Sequence, residues 1–489
     1  FWQGMHAPNM FLHRYSWLLS LLTVLLAGET LNRIRKFSFK RLLLSFLGLS
    51  TTYLLTWIFQ SHYSFIEPVS WLLSLAFLLA YAILFTSYFS QQIPGSVFRC
   101  FTFLFCIFEL TLSTYYVVGA LGNEWVFPTR EVYLRNMSAI TKLVSDTKQA
   151  NKTFYRTERL EAQTGNDSMK FNYNGISQFS SIRNTASSST LDRLGFKSEG
   201  TNLNLRYQNN TIIADSLFGI KYNLSNFDLN KYGFNHVTSE KTMGLYQNNN
   251  ASQLAILTDG IYNNIDFTVN TLDNQTSLLN TLSGLNLTYF KRAPSQLFDK
   301  DARSLNQRVA KNVSNSNKDF VTITYQVIAP PHSQLYVSIP NISWSDDNNH
   351  SLSITVNGVT KNQVTDNTFD FFDLGYFETE SMVTIKLSFS GNKAISFDNP
   401  SFYALDTQNY QIAMDTINER DSKVTTSKNK VFVDYSSKTN ASLFFTIPYD
   451  KGWTATINHK KVKIQRAQKG FMKVDVPSGK GKVVLTFIP

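Results

Sequence analysis

The chain has 489 residues, with 46 Lys and Arg against 35 Asp and Glu, a net charge of +11 and 43% hydrophobic residues. The basic surplus is spread thinly outside one cluster at 33–41, which disfavours a nucleic-acid partner and suits life beside anionic lipid or wall polymer. Two cysteines exclude a disulfide scaffold, and the absence of Cys beyond residue 106 fits a bacterial surface protein better than a eukaryotic secreted one.

The mean hydropathy of -0.16 hides a division. Residues 1–121 carry seven basic groups (Arg14, Arg33, Arg35, Lys36, Lys40, Arg41, Arg99) and three acids (Glu29, Glu67, Glu109), leaving 39 basic and 32 acidic groups for 122–489. Four apolar runs, at about 10–31, 42–60, 69–89 and 97–121, approach or exceed the roughly 20 residues that a membrane-spanning helix needs. Trp17, Trp57, Trp71, Tyr115 and Tyr116 punctuate their ends, as aromatic side chains do at headgroup level. The first connection holds five basic residues within 33–41, the second (61–68) none, and the third Arg99 alone. Positive charge stays cytoplasmic, so the first and third connections are expected inside, and the stub 1–14 and all of 122–489 outside.

Beyond residue 122 the texture changes to short runs broken by Asn, Ser, Asp and Gly. Residues 122–300 read as mixed α/β, with helices expected over 130–149 and 277–285 and strands over 202–207 and 211–214. Residues 301–489 alternate with period two through 321–327, 335–339, 352–356, 383–389, 441–447, 454–457, 461–464, 471–476 and 482–487. Many short strands predict a β-sandwich of jelly-roll type. Asn357-Gly358 marks a hairpin, because a type I′ turn requires positive φ at both central residues. N-x-[ST] sequons such as that at Asn136 read as Asn-rich composition rather than glycan acceptors.

Phosphate-binding loops, zinc-protease, serine-hydrolase and paired CxxC signatures are all absent from the sequence. Seven scattered His give no metal cluster, no cofactor is evident, and a role for a divalent metal is left open. Three features carry candidate chemistry. His6, His13 and Arg14, with Trp2, fall at the outer face, where an Arg beside His can grip a lipid-linked phosphate; the plainer alternative is an interfacial anchor. Glu109 sits midway along the fourth run, where a carboxylate is costly unless paired or wet, so it is either functional or hydrogen-bonded to a neighbouring span. Trp453, with Tyr449, Phe402 and Tyr403, either stacks on sugar rings or fills a sandwich core, and core is the better reading.

Several segments in order resemble one family. P-N-M-F-L-H-R-Y-S-W-L-L-S at 8–20, F-N-Y-N-G-I-S-Q-F-S-S at 171–181 followed by Leu194-Gly195, D-S-L-F-G-I-K-Y at 215–222, G-L-Y-Q-N at 244–248 and I-P-Y-D-K-G-W-T-A at 447–455 resemble the motif series of the bacterial YfhO membrane protein family. One departure is Asn458-His459 where the family commonly has Asp-Gly; Asn tolerates the left-handed region, so the hairpin is expected to survive. The resemblance implies a GT-C-type polytopic glycosyltransferase that takes a sugar from a polyprenyl-phosphate carrier on the outer leaflet. The acceptor implied is an anionic surface polymer such as lipoteichoic or wall teichoic acid in a Gram-positive cell. It also implies a catalytic Asp or Glu in a first outer loop, expected upstream of Phe1, so the chain reads as a C-terminal portion. A non-catalytic, membrane-tethered wall-polymer binding or assembly protein is the competing reading.

Overall fold

The computed structural model describes residues 16–488 apart from 34–37, 63–67, 125–126, 181, 183, 197, 200–203, 208–209, 301, 306–308, 313–319, 345–350, 365–370 and 391–394. It divides into two units, Phe1–Arg130 and Glu131–Pro489.

The first unit is helical: α1 Ser16–Asn32, α2 Phe39–Ile58, α3 Pro68–Phe89 and α4 Gly95–Glu124. Among the described residues α2, α3 and Gly95–Gly122 of α4 are long and apolar enough to cross a membrane; α1, with 17 residues, is apolar but shorter. Most large apolar side chains on α1, α2 and α4 are exposed, the signature of a surface solvated by lipid rather than water, whereas α3 exposes few and buries Leu84. Ser38 caps α2, its side chain accepting from Arg41 N.

In the second unit, helices come first. The helix expected over 130–149 is two, α5 Arg130–Leu134 and α6 Met137–Ala150, because Asn136 takes the left-handed conformation (φ 58°) between them. α6 buries Ala139, Ile140, Leu143, Val144 and Thr147, one face of a helix, against a sheet ordered 156–159, 220–225, 243–248, 234–240. Further on lie α7 Asp167–Phe171, α8 Thr185–Asp192, α9 Ile212–Leu217, α10 Thr271–Ser283 and α11 Thr407–Asn418. Two expectations shift. The β-branched run 211–214 is not a strand but the start of α9: Thr211 Oγ1 accepts from Ala214 N, and this cap outweighs local strand propensity. α10 begins six residues before the expected 277, where Asn270 accepts from Leu272 N and Asp273 N, and it ends on Gly284 at φ +77°.

The β region holds two sandwiches, each with five strands facing four. In one, the strands 295–300, 320–329, 381–390, 351–356 and 359–364 oppose 371–377, 333–338, 401–406 and 290–292 across a core of Val327, Leu335, Val337, Leu352, Phe372 and Phe402. In the other, 422–427, 430–437, 479–487, 453–457 and 460–462 oppose 465–467, 471–476, 441–448 and 255–257 across Val433, Leu443, Phe445, Met472, Val474 and Leu485. Alternation along each strand supplies one apolar face per sheet, and face-to-face packing buries it. Strands 255–257 and 290–292 come from before residue 300, so hydrogen-bonded sheets run across the position where the sequence suggested a domain boundary. Between the sandwiches α8 to α11 pack in a third core with Phe196, Phe218, Leu279, Tyr336, Tyr410 and Phe471.

Both hairpins expected from local chemistry are present. Asn357 and Gly358 have φ 46° and 87°, and Asn458 and His459 have φ 47° and 70°. Asn458 is further tied by Lys482 N donating to its Oδ1 at 2.9 Å. His459 is a Cβ-bearing residue in the left-handed region, so His459→Gly is expected to stabilise the chain by about 0.5–1 kcal/mol in chemical denaturation.

Candidate functional site

Among the described residues, chemistry-bearing side chains gather in two places. In the helical unit, the C-terminal ends of α1 and α3 and the N-terminal ends of α2 and α4 enclose a cavity of about 460 Å³. Leu42, Phe46, Leu49, Leu78 and Phe85 make it apolar, while Arg41, Ser45 and Tyr81 supply the polar groups. The space is large and apolar enough to admit a hydrocarbon chain. Beside it Tyr81 Oη donates to Glu109 Oε2 at 3.0 Å, and lies 3.6 Å from Cys106 Sγ. Glu109 is thus partnered across α3 and α4, a bond that offsets part of the cost of a carboxylate at that depth.

His6, His13 and Arg14 lie outside the described residues. Trp453 packs against Phe487 with the rings tilted, 5.0 Å between centroids, at the margin of the second sandwich core. Tyr449 lies beneath the Arg466 guanidinium at 4.5 Å, Phe402 is buried, and Tyr403 sits beside Arg292.

The second place is a buried charged network that sequence reasoning missed. Strand 156–159, Arg-Thr-Glu-Arg, reads as a solvated segment, yet all four residues are buried. Arg156 donates from Nη1 to the Phe218 carbonyl (2.7 Å) and Thr446 Oγ1 (3.1 Å), and from Nη2 to the Thr446 carbonyl (2.8 Å). Glu158 accepts from Ile176 N, from Ser177 N at 3.0 Å and from Ser177 Oγ at 3.0 Å. Arg159 pairs with Asp167 at 2.9 Å, and Asp167 also accepts from Gln163 N and Thr164 N. Next to them Lys231 meets the Asp215 carboxylate and donates to Tyr207 Oη at 3.2 Å.

These partners belong to the motif segments. Ile176 and Ser177 come from 171–181, Asp215 and Phe218 from 215–222, and Thr446 immediately precedes 447–455. Asn248, closing 244–248, donates to Ser216 Oγ (3.1 Å) and the Ile220 carbonyl (3.2 Å). Gly219, at φ +63°, is required because a Cβ there would stand 2.7 Å from the Ser252 carbonyl oxygen. The segments therefore converge on one interior scaffold. The only sequence signal was the recurrence of polar residues inside otherwise apolar motifs.

Burial dominates the electrostatics. It pushes the Glu158 carboxyl up to about 7 against the pull of the Ser177 and Ile176 donors and of Arg156. It raises Asp215 to about 6 despite Lys231, and lowers Arg156 to about 10. A cavity of about 70 Å³ lies alongside, lined by Gln163, Thr164, Ser177, Arg206 and Tyr207.

Three helices long and apolar enough to cross a membrane, followed by a large β-rich unit, mark a membrane protein. The chain belongs to the YfhO family: the model described as bacterial membrane protein YfhO matches residues 1–489. A curated relative, the uncharacterized protein YfhO of Bacillus subtilis (strain 168), is 27% identical over 115 residues, which cover 22% of this chain and 13% of that protein. Among solved structures, the chain is similar to a Paenibacillus sp. cycloisomaltooligosaccharide glucanotransferase (9% identity, TM-score 0.17, covering 41% of this chain and 46% of that one). It is also similar to a family two carbohydrate esterase from Cellvibrio japonicus (12% identity, TM-score 0.15, 23% and 33%). TM-scores this low carry no argument about fold or function.

The raised Glu158 pKa has a testable sign. The folded state holds this proton more tightly than an unfolded chain, whose Glu titrates near 4.5, so the stability it contributes is complete below that value and is lost as pH rises through about 7. From about pH 5 to 8 denaturant-derived stability should fall by on the order of 2 kcal/mol more in the natural chain than in Glu158→Gln. The amide keeps an acceptor for the two backbone N–H groups and a donor for Ser177 Oγ.

Proposed function

We propose that this chain forms part of a membrane glycosyltransferase that uses a polyprenyl-phosphate-linked sugar on the outer leaflet and glycosylates an anionic surface polymer such as lipoteichoic or wall teichoic acid. Membership of the YfhO family along the whole chain is the observation that carries this reading. In this reading α1 is a fourth span and the unit from Glu131 onward is extracytoplasmic, as the basic 33–41 connection favours. Arg14, with His13 and His6, stands at the outer face near the carrier phosphate, where a guanidinium can make paired charge-assisted hydrogen bonds. The β-rich unit orients the acceptor.

The non-catalytic alternative draws support from one observation: the motif segments of the second unit build its interior rather than an open cleft. Transfer from a polyprenyl-phosphate sugar to teichoic acid, measured with the full-length protein in proteoliposomes, separates the two. The proposal expects turnover that drops by about tenfold or more in Arg14→Ala, the worth of one lost charge-assisted contact. Equal turnover in both proteins removes Arg14 from the site. No turnover with retained polymer binding favours the tethered module.

A further inference from the structure

The second unit carries an apolar patch that its own fold leaves uncovered. Val132, Tyr133 and Leu134 are three consecutive exposed apolar residues on α5. Met169 on α7 is 74% exposed, and Phe179 and Ile182 are 47% and 92% exposed. Hydrogen bonds hold these residues together as one surface. Gln163 Nε2 donates to the Val132 carbonyl at 3.1 Å. Lys170 Nζ donates to the Tyr133 carbonyl at 3.0 Å and sits 3.7 Å above that ring. Asn166, which caps α7, exchanges two bonds with the Phe179 backbone at 2.8 and 3.2 Å. Ser180 closes the turn to Ile182. The apolar side chains thus stand on a rigid, internally bonded base, where a water-facing loop would carry polar residues.

Chain connectivity decides what covers it. Glu131 follows Gly122, the last residue of a membrane-length apolar helix, by nine positions. Nine residues reach at most roughly 30 Å even when fully extended. A compact body of this unit's length is roughly 50 Å across, so the face that carries α5 is held near the bilayer. Arg130 and Arg135 bracket α5 with Glu131 as the one acid between them, a charge balance suited to anionic headgroups.

We propose that Val132, Tyr133, Leu134, Met169, Phe179 and Ile182 form a membrane-docking surface that inserts into the lipid headgroup region and fixes the second unit against the bilayer. Insertion of this kind buries side chains about 5–10 Å into the headgroup–acyl boundary. The contact makes the second unit a surface-bound body instead of a tethered one. It holds on either side of the membrane and independently of glycosyl transfer.

The test uses the whole chain, with Cys100→Ser and Cys106→Ser, in phosphatidylcholine vesicles containing a quarter phosphatidylglycerol. A single Met169→Cys carries an environment-sensitive fluorophore, and quenching is read with doxyl lipids labelled near the headgroup end of the acyl chain. Lys438→Cys is the reference. Asn184 donates to the Tyr449 carbonyl at 2.7 Å, which places the Ile182 edge at one end of strand 441–448, and Lys438 lies beyond its other end, roughly 25 Å away. The proposal expects quenching at Met169 at least about twofold above that at Lys438. Adding Ile182→Glu to the Met169-labelled chain should cut the difference by half or more. Because both side chains are exposed, neither substitution threatens the fold, and unchanged thermal unfolding confirms this. Equal quenching at the two positions, or quenching at Met169 untouched by Ile182→Glu, overturns the proposal.

Discussion

A guanidinium taken out of water must find acceptors for its hydrogens, and Arg156 finds them in two segments far apart in sequence. Its bonds to Phe218 and Thr446 tie the turn after α9 to strand 441–448 of the second sandwich, across 62 and 290 positions. Removing water from such a charge costs several kcal/mol, which only well-placed acceptors offset. The site therefore specifies one arrangement of its surroundings: any shift of strand 441–448 against strand 220–225 leaves a buried charge without partners. Glu158, one side chain further along the same face of the strand, does the equivalent for segment 176–177. The remaining architecture follows from this fixed centre, because α6 packs on one side of the sheet it begins and the helical core with both sandwiches connects to the other elements it bonds.

This explains why the family-like segments read so weakly as chemistry. Within those segments Asp215, Ser177 and Asn248 each bond a buried neighbour, and Gly219 allows a close backbone approach. The apolar cavity and the Tyr81–Glu109 bond lie instead in the helical unit.

Local physics made much of the fold legible. The apolar runs gave the helices to within a few residues, and Asn357-Gly358 and Asn458-His459 gave their turns, because span length and positive φ are properties of a few adjacent residues. Period-two alternation marked strands such as 320–329, 333–338, 381–390 and 479–487, but not 371–377, 401–406, 422–427 or 430–437, and it gave no pairing. Strand 255–257 completes a sandwich whose other strands begin only at residue 422, and only tertiary packing selects that pairing. For the same reason two sandwiches appear where one was expected. The buried Arg-Thr-Glu-Arg strand was illegible, since charged residues are read as exposed unless their partners are known. At the candidate site, the partner of Glu109 came from α3, a contact that the spacing within α4 does not encode.

The central claim is that the Arg156 strand holds two remote segments in place together. Hydrogen exchange on the whole chain in detergent, comparing the natural protein with Arg156→Lys, tests it most directly. Lysine keeps the charge but cannot reach the Phe218 and Thr446 acceptors at once. The account predicts that backbone amides around 218–222 and around 444–449 lose protection together, each by about tenfold or more. Lost protection confined to residues next to 156, with the 444–449 amides exchanging as before, contradicts it.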